Sequence, residues 1–144
     1  MRNNIQDGVR NASFGTTNSN TVIENSRFEY NGSNGANAVA TTANVSIRNS
    51  VFVNNDSAVA AVSASQTQPI LIVVDTCTIA HNTFGLYAQG DTGGSATIRV
   101  TNSTVYHNDT GMFLFGLGAI ESYGNNRVLA NTNGSTFSGT VALQ

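Results

Sequence analysis

Ile23 to Asn31 reads IENSRFEYN, Ile47 to Asn55 reads IRNSVFVNN, Val74 to Asn82 reads VDTCTIAHN and Val100 to Asn108 reads VTNSTVYHN. The four segments are one motif. It runs apolar, two polar residues, Ser or Cys, a variable residue, a second large apolar residue, two variable residues and Asn. A weaker copy ends at Asn131, and Asn4 stands where a preceding copy would end; from Asn4 to Asn131 the closing Asn residues are 27, 24, 27, 26 and 23 positions apart. Self-similarity at this period marks a solenoid, in which each repeat is one winding that cannot bury its apolar face alone.

Within a repeat the apolar residues alternate in twos, as in Val45/Ile47, Ile70/Ile72/Val74 and Ile98/Val100, which is the periodicity of a strand. Phe28, Phe52, Ile79, Val105 and Val128 follow that run after an odd step. Both sets can face one interior only if the chain bends between them, near Asn25, Asn49, Thr76 and Asn102. A second bend falls at the closing Asn, a residue type that tolerates left-handed backbone and bonds its own main chain. A third strand then begins at Ala58-Val59, Gly85-Leu86 and Gly111-Met112. Cys77 aligns with Ser26, Ser50 and Ser103 and is read as a small, inward, inert side chain. Stretches rich in Thr, Ser, Gly and Gln, such as residues 63–68 and 89–95, read as loops.

Three short strands per winding, no helical period and stacked Asn residues resemble the right-handed β-helix repeat of the pectate-lyase-like superfamily. The resemblance covers about residues 4–137 and implies an all-β fold: a single-stranded right-handed parallel β-helix of about five coils, forming one domain over residues 1–144. The closing Asn residues are expected to form an internal hydrogen-bonded ladder. With no cap visible before residue 5, the chain is expected to be a fragment of a longer β-helix protein or to have its ends covered by another subunit.

Composition narrows the partners. Only 10 % of residues are charged, the formal net charge is −2, and all six cations are Arg. No basic field exists to neutralise phosphates, so nucleic acid is excluded as a partner. Apolar runs such as Ile70–Val74 and Met112–Ile120 are too short to span a bilayer. A lone Cys excludes an internal disulfide framework. Met1–Asn4 leads into the repeat without an apolar run. Localisation is therefore left open, with the extracellular space or cell surface expected if the chain is part of a longer secreted protein.

Three clusters carry chemistry-bearing side chains. Glu24, Arg48 and Asp75 fall at one outward position of successive coils, with Arg99 diagonal to the last. They read first as a ladder of opposite charges. The sharper alternative is a polysaccharide site in which Glu24 and Asp75 serve as acid and base and Arg48 and Arg99 hold ligand, because enzymes of the resembled superfamily often work on this face. His81 and His107 share a turn position near Asp56 and Asp109; they are weak catalytic candidates, and two ligands without a third give no metal site. If Leu86 and Met112 point inward, Tyr87 and Phe113 stack outward with Phe115 beside them. That stripe is expected first to be covered by residues 137–143 folding back, and otherwise to bind ligand or serve a homo-oligomer. The opposite parity, with Phe113 and Phe115 inside, is the alternative. No cofactor is implied. The leading expectation is a non-catalytic structural or surface-recognition module, with self-association through open coil ends or the aromatic stripe. The alternative is a polysaccharide-binding or polysaccharide-processing protein, and an enzyme is the less favoured of the two.

Overall fold

The computed structural model describes residues 1–12, 18–39, 42–63, 69–91 and 93–142. The expected loop residues 64–68 and 92, and Leu143 of the expected covering segment, lie outside the described residues. The first winding supplies β1 (Val9–Ala12), β2 (Ser19–Glu24) and β3 (Arg27–Glu29). The second supplies β4 (Asn34–Val39), β5 (Ala43–Arg48) and β6 (Val51–Val53), and the third β7 (Ser57–Ser63), β8 (Ile70–Asp75) and β9 (Thr78–Ala80). Then come β10 (Phe84–Gly90), β11 (Ala96–Thr101) and β12 (Thr104–Tyr106), followed by β13 (Thr110–Gly116), β14 (Gly118–Ser122), β15 (Arg127–Leu129) and the closing β16 (Gly139–Thr140).

Every strand pairs in parallel with its counterpart one winding away. The result is three sheets: β1-β4-β7-β10-β13, β2-β5-β8-β11-β14-β16 and β3-β6-β9-β12-β15. They are called here the first, second and third sheet. Strands stack five, six and five deep, about four complete turns of a β-solenoid. The chain is all-β among the described residues, and no helix there is long and apolar enough to cross a membrane.

The core runs as rows along the solenoid axis. Ile23, Ile47, Val74 and Val100 line up from the second sheet, and Phe28, Phe52, Ile79 and Val105 from the third; all are buried. Phe28 and Phe52 stack with ring centroids 4.8 Å apart and planes 6° off parallel, the spacing of neighbouring strands. Val59, Leu86 and Met112 complete the interior from the first sheet, so Tyr87 and Phe113 face outward. That settles the parity in favour of Met112 inside. Leu114 belongs to the same inward row as Ala38, Ala61 and Ala88, yet it is 38 % exposed because among the described residues no strand follows β13 in its sheet.

Both bends lie near the expected places, with one correction. Asn25, Asn49, Thr76 and Asn102 all have positive φ (48–53°), as the odd step demanded. At the second bend the left-handed residue is the one before the ladder Asn: Tyr30, Asn54, His81, His107 and Ala130. The ladder Asn itself points inward, where its amide satisfies both its own turn and the next. Asn31 Nδ2 donates to Asn55 Oδ1 (2.8 Å), Asn55 to Asn82 (3.0 Å), Asn82 to Asn108 (3.0 Å) and Asn108 to Asn131 (2.9 Å), with Asn4 donating to Asn31 (2.8 Å) at the start. The same Oδ1 atoms accept the backbone N–H of the preceding ladder residue. A second inward row passes Ser26, Ser50, Cys77 and Ser103. Cys77 N–H donates to Ser103 Oγ (3.0 Å), and burial pushes the thiol up to about 11.

Phe137 packs against the end of the core, and Gly139–Thr140 pairs with Glu121–Ser122 on the second sheet. The described part of residues 137–143 therefore continues the winding and does not fold back over Tyr87 and Phe113. The reason is local: Gly134, at φ 61°, turns the chain off the first sheet after Asn133 bridges Thr110.

Candidate functional site

The charged row on the second sheet is in register as expected. Glu24, Arg48 and Asp75 stand directly opposite one another on β2, β5 and β8. Arg48 Nη1 lies 3.6 Å from Glu24 Oε1 and its Nε lies 3.7 Å from Asp75 Oδ2. The guanidinium fills the space between the two carboxylates, whereas a glycoside-cleaving acid and base need that space open for sugar or water. Arg99 takes its expected place, but pairs elsewhere. Two residues before the Thr101 that stands opposite Asp75, it is diagonal to that carboxylate, but its ion pair is with Glu121, in register on β14, to whose Oε2 its Nε donates at 2.9 Å. Asp75 instead accepts from Thr76 Oγ1 (2.8 Å) and Asn102 Nδ2 (3.2 Å). Glu121 went unread because the last repeat lacks the full motif that would have fixed its register. Beside this row Arg48, Asp75, Thr101 and Tyr123 line a shallow hollow of about 210 Å³.

His81 and His107 stack with centroids 5.4 Å apart and planes 8° off parallel. Tyr106 meets both rings edge-on, at 6.0 and 5.3 Å. Left-handed backbone turns these side chains out to solvent, and the same turn accepts Tyr30 and Ala130 elsewhere, so the turn itself does not require His. With Asp56, Thr83 and Asp109 they border an open groove of about 500 Å³. Among the described residues no group of three or more His, Cys, Asp or Glu is placed to hold a metal ion.

The third cluster is the best formed. Tyr87 on β10 and Phe113 on β13 are in register and stack at 5.1 Å, 13° off parallel. Phe84 meets both edge-on at 5.6 and 5.2 Å, so three rings brace one another. Phe115 lies one outward position along, 56 % exposed. On the other side of Tyr87 the residue in register is Ala60 on β7, and beyond it Asn37 on β4. The outward side chains of β7 are all small or short: Ser57, Ala60 and Val62. A slot of about 440 Å³ therefore crosses the first sheet, with β7 as its floor, Phe84, Tyr87 and Gln89 on one wall, and Ser33 and Asn34 on the other. Tyr87 Oη is fixed by donating to Gln89 Oε1 at 2.6 Å. The amide wall is held from behind: Asp7 Oδ1 accepts from Asn34 N–H (3.0 Å) and Nδ2 (2.7 Å), and Asp7 Oδ2 accepts from Asn37 Nδ2 (3.2 Å).

Sequence reasoning found Tyr87 and Phe113 but missed Phe84, Ala60 and Asn34. The missing signal is relational. A small residue marks a slot only when the residues one winding to either side are known to be larger, and that needs the register. No family model, no curated protein and no solved structure matches this chain.

Proposed function

We propose that the chain is a non-catalytic surface-recognition module, a rigid stack of strands that holds an extended ligand against an outer face. The observation that carries this reading is the slot on the first sheet, a concave surface with a braced aromatic wall on a backbone whose hydrogen bonds are already made. Binding sites are usually concave, partly apolar and preformed, with a few placed polar groups, and the slot has each property. Nothing comparable supports catalysis, since Glu24 and Asp75 are engaged by Arg48 and the two imidazoles stack on each other rather than on a partner acid.

The second reading is a polysaccharide-processing protein of the pectate-lyase-like superfamily acting on the second sheet. The hollow beside Arg48 and Asp75 favours it, as do the three-strand winding and the Asn ladder, which resemble that superfamily. A glycan array combined with a reducing-sugar assay separates the two. Binding to a subset of glycans with no release of reducing ends is expected. Release of reducing ends that is abolished by Asp75→Asn would install the enzyme reading instead. Silence across the array would remove glycans as the extended ligand.

A further inference from the structure

The slot over Ala60 has a definite chemistry. Its floor is the face of a sheet whose strands are paired on both sides, β4 to one side and β10 to the other, so an extended peptide finds no free main-chain edge to pair with. Its walls lie two windings apart, roughly 9–10 Å between backbones, and the run from Ser57 to Val62 is about 16 Å long. That is a channel for a thin linear chain. One wall offers the Tyr87 ring, backed by Phe113, with planes roughly perpendicular to the solenoid axis because the two rings stack in register. The opposite wall offers hydroxyl and amide groups from Ser33 and Asn34. Asn37, in register with Ala60, stands behind that wall with its amide held by Asp7.

The charge of the lining is equally informative. Asp56 at one end is its acidic group, and no Arg lines it. Arg10, in register with Asn37 on the far side of the amide wall, lies 4.0 Å from Asp7; Arg48 and Arg99 are on the second sheet. An anionic polymer would meet a carboxylate and no cation.

Resting on the recognition reading above, we propose that this slot binds a linear, uncharged glycan, one ring lying flat along Tyr87 with its hydroxyls turned to the amide wall. A sugar ring has the matching duality: an apolar face of C–H groups for the aromatic, and an edge of hydroxyls that both donate and accept.

Calorimetry on the full chain tests this, with neutral linear hexasaccharides (β-linked glucan, mannan, xylan and chitin) and a galacturonan hexamer as probes. The variants copy residues that other windings already carry at these positions, so the fold has precedent for them: Tyr87→Ala follows Ala60, and Phe84→Ser follows Ser57. At least one neutral hexamer should bind. Tyr87→Ala should weaken it at least about tenfold and Phe84→Ser severalfold, since each removes part of the aromatic wall, while Arg48→Ala leaves it unchanged. Tighter binding of the galacturonan hexamer than of every neutral one overturns the proposal, as does neutral binding indifferent to Tyr87→Ala. If glycans bind but respond only to Arg48→Ala, the slot is wrong and the recognition function survives. If no glycan binds here or on the array, this proposal falls and the recognition reading is left to an extended ligand of another class.

Discussion

The ladder residues show how much a single amide can carry. Asn82 Nδ2 donates to Asn108 Oδ1 and lies within reach of the Ala80 and Phe52 carbonyls (2.9 and 3.2 Å), while its Oδ1 accepts both the main-chain and side-chain N–H of Asn55. All of this is buried, so truncation strands donors and acceptors that water cannot reach. Asn82→Ala should cost about 1–3 kcal/mol, read as a fall in melting temperature. An unchanged melt would mean the ladder is decorative. Cys77 makes the opposite point. Its thiol sits in a row of Ser residues, so Cys77→Ser should change stability by less than about 1.5 kcal/mol. With the thiol pushed up to about 11 and shielded, iodoacetamide at pH 8.5 should label Cys77 only as fast as the protein unfolds. Rapid labelling of the native protein would contradict that placement.

At the scale of the strand, register rather than residue type decides what each position does. The spacing of the closing Asn residues and the odd step to Phe28, Phe52, Ile79 and Val105 made the sheets and the inward rows legible from the sequence. Three things were not legible. The left-handed residue of the second bend is Tyr30, Asn54, His81, His107 or Ala130, types with no common preference, because the turn is imposed by the ladder Asn that follows. Arg99 finds Glu121 only once β14 is aligned. The slot exists because β7 is small between larger neighbours. Close approach between windings gives a direct test of this alignment. A Cβ at Gly85 would come within 2.6 Å of Gly111 O and 3.1 Å of Asn108 Nδ2, so Gly85→Ala should destabilise by about 1–3 kcal/mol. Acid provides another at β4. Burial, the largest single influence on Asp7, would raise its carboxyl, but hydrogen bonds from Asn34, Asn37 and Ser33 together hold it below its ordinary value. A depressed carboxyl stabilises the fold above its unfolded pKa, about 3.9, and that contribution is lost as pH falls through the lower folded value. The protection factor of the Asn34 amide should therefore fall below about pH 4, and Asp7→Asn should remove most of that fall.

For the whole molecule the governing fact is that each winding touches only its neighbours. Stability is then close to a sum of winding and interface terms, and adding a winding adds one interface. Residues 83–108 make a natural unit: they begin just after one ladder Asn, end on the next, and contain one strand of each sheet, β10, β11 and β12. A second copy of 83–108 inserted after Asn108 presents each neighbour with the residues it already packs against. Its Asn would extend the ladder, its Val105 counterpart the core row, and its Tyr87 counterpart the aromatic stack. The enlarged protein should keep an all-β circular dichroism spectrum and lengthen by about 4.8 Å in small-angle scattering. Its melting temperature should equal or exceed that of the parent. Interior windings alone cannot decide the outcome, because the open edge at Leu114 stays as it was and any stabilisation must come from the new interface. A lower melting temperature, or a particle that broadens instead of lengthening, would show that the windings are not interchangeable and that the ends, rather than the stacked rows, hold the fold together.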